Sequence, residues 1–121
     1  MALPLINFKA TNTNLEEHLQ DLVEAKLTTL EKYIGTETDV QCEVEFSKVT
    51  QQKNGKIYRV EVNLWLKGTL YRATATEDLF EKAIDAVRSE LDKELRRAGK
   101  KKENLYRKGK RAIKNMLRFG S

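Results

Sequence analysis

The spacing of apolar residues changes twice along this chain, and that change constrains its fold more than any other feature. Apolar residues recur with helical spacing over residues 14–34, alternate with polar residues from Val40 to Thr76, and return to helical spacing beyond. A repeat of about 3.6 residues is typical of a helix with one buried face, and a repeat of two is typical of a half-buried strand. The sequence therefore predicts two helices separated by a set of strands.

Turn and capping signals place the ends of these elements. A first strand is predicted at residues 5–10, where apolar and polar residues alternate ahead of the first helix. Thr13 and Glu16 have the spacing of a capping box, so we expect Thr13 to cap the first helix and Gly35 to end it. Thr76 is predicted to cap the last helix.

The alternating region divides into strands at two turns. Asn-Gly at residues 54–55 and Lys-Gly at residues 67–68 are typical of tight hairpins, which predicts three antiparallel strands. The order of elements is then β-α-β-β-β-α, an α+β domain over residues 1–99 with both helices on one face of a four-stranded sheet. Gly99 is predicted to end the last helix, and residues 100–121 are predicted to form a basic tail in which a short helix can be induced.

Few residues could support catalysis or metal binding. The chain has one histidine and one cysteine, His18 and Cys42, which cannot supply a tetrahedral zinc site. His18 is predicted on the polar edge of the first helix, and Cys42 is predicted to be buried as a small apolar residue. Glu43 and Glu45 share the outward side of a strand, a pattern typical of a solvated sheet face. The sequence thus predicts a protein that is not an enzyme and that has no cofactor or metal.

Positive charge is concentrated in the last third of the chain. The net charge is +5, but residues 1–81 carry a net −4 and residues 82–121 a net +9. Such asymmetry predicts a polyanionic partner, either nucleic acid or an anionic membrane. Nucleic acid is favoured, because no large apolar side chains flank the cations of the last helix and the chain has no apolar run of membrane-spanning length. The single cysteine and the absence of a signal sequence predict a cytoplasmic protein.

The cations of the last helix form a row that is separate from its apolar face on a helical projection. We call this row the basic ridge: Lys82, Lys93, Arg96 and Lys100. The acidic residues of the helix fall outside the ridge on the same projection, so we expect it to lack neutralising partners. Cations that meet phosphates release condensed counterions, so the ridge predicts nucleic-acid binding. Further candidate RNA-binding cations follow directly: Arg97, Lys101, Lys102, Arg107, Lys108, Lys110 and Arg111.

Three segments resemble the ribosome hibernation-promoting factor family, also called ribosome-associated inhibitor or ribosomal subunit interface protein. Residues 27–33, Leu-Thr-Thr-Leu-Glu-Lys-Tyr, resemble the end of that family's first helix. Residues 71–85, which include Glu-Asp-Leu-Phe-Glu-Lys-Ala-Ile-Asp, resemble its fourth strand and the opening of its second helix, and residues 91–97 continue the match. The resemblance covers about residues 3–102 and indicates a short member, because the remaining tail is too short for the second domain of long members.

The resemblance implies both a fold and a function. The fold would be like that of double-stranded RNA-binding domains, and the protein would inhibit translation under stress by binding in the messenger- and transfer-RNA channel of the small ribosomal subunit. Its partners would be that subunit and its rRNA, with no membrane, and we expect a monomer away from the ribosome. Matched basic positions are Lys26 and Lys32 on the first helix, and Lys93, Arg96, Arg97 and Lys100 on the second. Two alternatives stay open, a general double-stranded RNA-binding module without ribosome specificity and a small enzyme acting on RNA.

Overall fold

The elements follow the predicted order β-α-β-β-β-α. The computed structural model describes residues 6–50 and 55–119, with the backbone alone described for residue 106 and residues 110–119. The strands are β1 (Asn7–Thr11), β2 (Val40–Lys48), β3 (Tyr58–Leu66) and β4 (Thr69–Glu77). The helices are α1 (Glu17–Thr28), a short 3-10 helix (Glu31–Tyr33) and α2 (Phe80–Phe119).

The four strands form one sheet in the order β1-β2-β3-β4. β1 lies parallel to β2, whereas β2, β3 and β4 pair in antiparallel fashion, which confirms the predicted meander. Lys67 and Gly68 both have positive φ, 52° and 77°, and join β3 to β4 as the two central residues of a hairpin turn. At the other predicted turn Gly55 also has positive φ, while Asn54 lies outside the described residues.

The alternation in the strands places one side of the sheet against both helices, as predicted. Phe46 of β2 is nearly inaccessible and meets Phe80 of α2 edge to face, with ring centroids 5.4 Å apart. The buried apolar residues of the strands are Val40, Cys42, Val44, Phe46, Val60, Val62, Leu64 and Ala73. Those of the two helices are Leu19, Val23, Leu27, Phe80, Ala83, Ile84, Val87, Leu91 and Leu95. Burying apolar area of this kind is the main force that holds the helices on the sheet.

The first helix is shorter than predicted at both ends. It begins after Glu16, and no side-chain cap is formed there, so the predicted capping box with Thr13 as N-cap is wrong. At the other end the α-helix stops at Thr28. The hydroxyls of Thr28 and Thr29 bond to backbone carbonyls one turn back, an alternative to regular helix that such residues favour at ends. Gly35 does end the helical segment that follows, with φ +61° and its amide bonded to a carbonyl of the 3-10 helix.

The second helix starts later and ends later than predicted. Thr76 is paired with Arg59 inside the sheet, so it does not cap α2, which begins at Phe80. Gly99 lies inside α2, so the predicted helix end there is wrong. A Cβ at Gly99 would meet nothing within 4 Å, and a solvent-exposed glycine costs a helix only about 1 kcal/mol relative to alanine. The boundary between a domain at residues 1–99 and a tail at 100–121 stays a prediction, although the helix crosses it.

Candidate nucleic-acid interface

The packing of α2 on the sheet decides where its cations lie. Its buried apolar side chains all face the core, and the basic ridge of Lys82, Lys93, Arg96 and Lys100 lies on the other side. All four ridge residues are exposed, and so are Arg97 and Lys101. The structure therefore presents the ridge to solvent, as the helical projection predicts.

Two of the ridge cations have acidic partners, which corrects the expectation that the ridge lacks them. Lys82 Nζ lies 3.1 Å from Asp78 Oδ1, and Arg96 forms an ion pair with Asp92. Asp92 and Arg96 lie four residues apart on α2, a spacing that brings side chains together even when a projection separates them by 40°. Asp78 lies just before α2 and reaches Lys82 in its first turn. Within the described part of the chain, Lys93 and Lys100 have no carboxylate oxygen within 4.0 Å.

The two candidate cations between β1 and β2 differ in their surroundings. Lys26, on α1, forms an ion pair with Asp85 of α2 at 2.9 Å and so links the two helices. Lys32, in the 3-10 helix, lies 5.2 Å from the centre of the Tyr33 ring, a cation–π contact. Any polyanion that binds Lys26 must therefore compete with Asp85, whereas Lys32 has no carboxylate within 4.0 Å among the described residues.

Tyr33, Asp92 and Arg96 form a cluster between the 3-10 helix and α2. The Tyr33 hydroxyl donates a hydrogen bond of 2.7 Å to Asp92 Oδ1, and Arg96 donates to Oδ2 of the same carboxylate. Asp92 is 9% exposed and is one of the two buried polar residues of the described chain. The hydrogen bonds from Tyr33 and then Arg96 lower the pKa of Asp92, so it is ionised at neutral pH. Sequence reasoning missed this cluster, and the four-residue spacing of Asp92 and Arg96 was its one detectable signal.

The cations beyond Leu95 lie on the continuing helix. Arg107 pairs with Glu103 at 2.7 Å, and both side chains are exposed. Lys102 lines a surface groove together with Tyr33, Thr36 and Lys67, so this part of α2 still lies beside the domain. Lys108 is exposed, and the side chains of Lys110 and Arg111 lie outside the described residues. The groove therefore brings Lys102 of α2 near Tyr33 of the 3-10 helix and Lys67 of the turn between β3 and β4.

Other chemistry has little support among the described residues. The Cys42 thiol is buried, and desolvation raises its pKa to about 12, so it is not a thiolate at neutral pH. His18 is exposed on α1, with Nδ1 3.6 Å from Glu16, as its position on the polar edge predicts. No group of three or more metal-ligating side chains occurs in the described parts of the chain. None of the described helices has the length and apolar character needed to cross a bilayer.

The model of one protein family, described as sigma 54 modulation protein / S30EA ribosomal protein, matches residues 6–103. The chain belongs to this S30EA family. The match spans the whole sheet, α1 and residues 80–103 of α2, and it confirms the family resemblance that the sequence motifs indicate.

Individual relatives agree with this assignment. The chain is 27% identical over 100 residues to a ribosome hibernation promoting factor of Pseudomonas putida, covering 83% of this chain and 91% of the relative. A crystal structure of the Protein Y N-terminal domain of Thermus thermophilus superposes with a TM-score of 0.63 at 25% identity, covering 80% of this chain and 98% of that one. A ribosomal subunit interface protein of Coxiella burnetii has a similar fold, with a TM-score of 0.62, 21% identity and coverage of 78% and 96%. The predicted fold class is thereby confirmed.

Proposed function

We propose that this S30EA-family chain binds the small ribosomal subunit and inhibits translation by occupying the messenger- and transfer-RNA channel. The observation that carries the proposal is the family match over residues 6–103, in a family whose relatives include ribosome hibernation and subunit interface proteins. The exposed basic ridge supports RNA as the contacted surface, because the phosphate backbone dominates affinity in protein–nucleic acid complexes.

The candidate cations differ in how readily they can meet a phosphate. Lys93 and Lys100 are exposed and have no carboxylate partner among the described residues, so a phosphate can approach them without displacing an acid. Lys82 and Lys26 are paired with Asp78 and Asp85, but exposed pairs of this kind contribute only about 0–1 kcal/mol. Each of these two must release its carboxylate before it binds a phosphate, so each contributes less to binding than an unpaired lysine. We therefore rank Lys93 and Lys100 first among the contacts.

The proposed inhibition comes from the bound protein blocking the channel and not from a catalysed reaction. A protein that fills a channel needs one copy per ribosome, no cofactor and no bond-breaking step, and it acts as a monomer in the cytoplasm. A titration of the purified protein into a reconstituted translation system should reach full inhibition near one copy per ribosome. Full inhibition far below that ratio would contradict occupancy and indicate an enzyme acting on RNA.

Sedimentation of the purified protein with purified ribosomal subunits tests the binding site. We expect the protein to migrate with the small subunit and to be excluded when messenger RNA and initiator transfer RNA are bound there first. Binding to the large subunit alone would contradict the proposal. Equal affinity for the small subunit and for an unrelated RNA duplex at the same salt concentration would instead support a general double-stranded RNA-binding module.

A further inference from the structure

Asp92 is an acidic residue on α2 beside the cations of the basic ridge. It is nearly buried, it sits one helical turn before Arg96, and it receives hydrogen bonds from both Arg96 and Tyr33. A negative charge at this place weakens the attraction of the basic ridge for phosphate. The charge of Asp92 therefore opposes the proposed RNA binding, and any contribution of Asp92 to binding must come from its contacts with neighbouring side chains.

We propose that Asp92, held by Tyr33, is a positioning residue that fixes the Arg96 guanidinium in the orientation in which it binds an RNA phosphate. This inference rests on the proposed function. The Arg96 side chain is 56% exposed although Asp92 engages its Nη2 and Tyr33 also interacts with it, so part of the guanidinium remains open to a ligand. Guanidinium presents five N–H donors in a planar fork, and a fork held on one edge can still offer a pair of donors to a phosphate.

Tyr33 is what distinguishes this arrangement from an ordinary surface ion pair. A carboxylate on α2 alone would move with its own side chain, but the hydroxyl of Tyr33 ties Asp92 Oδ1 to the 3-10 helix. The carboxylate is thereby fixed from two elements. Arg96 then loses less conformational freedom when it meets a ligand, since part of its side chain is already ordered in the free protein.

The same helix contains a matched pair without this anchor. Glu103 and Arg107 also lie four residues apart and form an ion pair, but both side chains are more than half exposed, and Glu103 has no hydrogen bond from another element among the described residues. Replacing Asp92 or Glu103 by its amide makes the same change in charge. The two substitutions therefore separate positioning from net charge.

Binding to purified small ribosomal subunits should be measured for the full chain and for Asp92→Asn, Tyr33→Phe and Glu103→Gln. Each amide variant loses one negative charge, so electrostatics alone predicts tighter binding for both. We expect Asp92→Asn and Tyr33→Phe to bind about two- to tenfold more weakly, as for residues coupled in one network. Glu103→Gln should bind as tightly as the parent or more tightly. Equal tightening by both amide variants would overturn the inference.

A double-mutant cycle with Arg96→Gln distinguishes positioning from a general effect on folding. If Asp92 acts through Arg96, Asp92→Asn should have no further effect on affinity in the Arg96→Gln background. Equal weakening in both backgrounds would show that Asp92 stabilises the fold only, and would overturn the inference. Tyr33→Phe removes a single oxygen and keeps the ring, so, if Asp92→Asn does not fold, it tests in the same two backgrounds whether the cluster acts through Arg96.

The proposed function and this inference fail in different ways. A parent protein that does not bind small subunits would overturn the proposed function and the inference with it. Parent binding that Arg96→Gln leaves unchanged would overturn the inference alone, because there would be no Arg96 contact to position. Parent binding that is weakened by Arg96→Gln, by Asp92→Asn and by Tyr33→Phe, but not by Glu103→Gln, is the result expected here.

Discussion

The ranking of cations on α2 leads to a prediction about salt dependence. Lys93 and Lys100 have no acidic partner among the described residues, and both are exposed. Replacing both by glutamine removes two charges and opens no cavity. Lysine and glutamine have similar helix propensities, so the free energy of unfolding should change by less than about 0.5 kcal/mol. Binding to the small subunit should weaken, and its dependence on salt should flatten.

The size of this flattening follows from counterion release. Each phosphate contact contributes about 0.7 to 0.9 to the slope of log affinity against log salt concentration, so two lost contacts reduce the slope by about 1.4–1.8. When the salt concentration is raised fourfold, from about 50 to 200 mM, both proteins bind more weakly. The factor by which affinity falls should be about 7 to 12 times smaller for the variant than for the parent protein. The measurement is a series of binding curves with purified small subunits at four or more salt concentrations.

A control variant with the same change in charge separates contacts from long-range attraction. Lys82 and Arg107 lie on the same helix but are paired with Asp78 and Glu103. Replacing both by glutamine also removes two charges, yet the slope should fall by less than half as much, because these cations are already partly neutralised. Equal slopes for the two double variants would refute the ranking and would indicate that net charge alone sets the affinity.

Three further predictions concern the fold. Cys42 is buried and the pKa of its thiol is raised to about 12, so a disulfide-exchange reagent at pH 8 should react slowly with the native protein and completely in denaturant. Gly68→Ala should lower the free energy of unfolding by about 1–2 kcal/mol, because φ is +77° at this position. Gly99→Ala lies in an open helical position and should raise the free energy of unfolding by about 0.5–1 kcal/mol. Urea denaturation measures both changes. Hydrogen bonds from Tyr33 and Arg96 lower the pKa of Asp92. The ionised Asp92 therefore stabilises the fold above the ordinary pKa of aspartate, and this stabilisation is lost as the pH falls through the lowered pKa. The difference in the free energy of unfolding between the parent and Asp92→Asn should shrink in acid.

The sheet could be predicted from the sequence because one signal recurs at every second residue. Val40, Cys42, Val44 and Phe46 are all buried, and a shift of one residue would expose the whole set, so pattern and register support each other. Helix ends have no such redundancy. The capping box at Thr13 was a single local signal, and the chain does not use it, since α1 begins four residues later at Glu17.

The candidate site could be predicted only in part, because a sequence shows charge but not its partners. The helical projection placed the basic ridge on the correct side of α2, since that side is the complement of the apolar stripe. It could not show that Lys26 meets Asp85 across two helices, a contact that depends on how α1 and α2 pack. The hydrogen bond from Tyr33 to Asp92 joins residues 59 positions apart and has no local signature.

The continuation of α2 through Gly99 affects the geometry of the proposed interface more than the other differences from the predicted fold. A glycine after a run of apolar spacing normally indicates a helix end, but here it is followed by lysines, which favour helix about as well as most residues do. One unfavourable residue does not outweigh favourable neighbours on both sides, and α2 continues to Phe119. At about 100° per residue, Arg107 then lies on the same side of the helix as Lys82 and Lys100. A line of cations that begins with the basic ridge therefore extends for about 38 Å from Lys82 to Arg107, at 1.5 Å per residue. A chain that left the helix at Gly99 would not place Arg107 on this line.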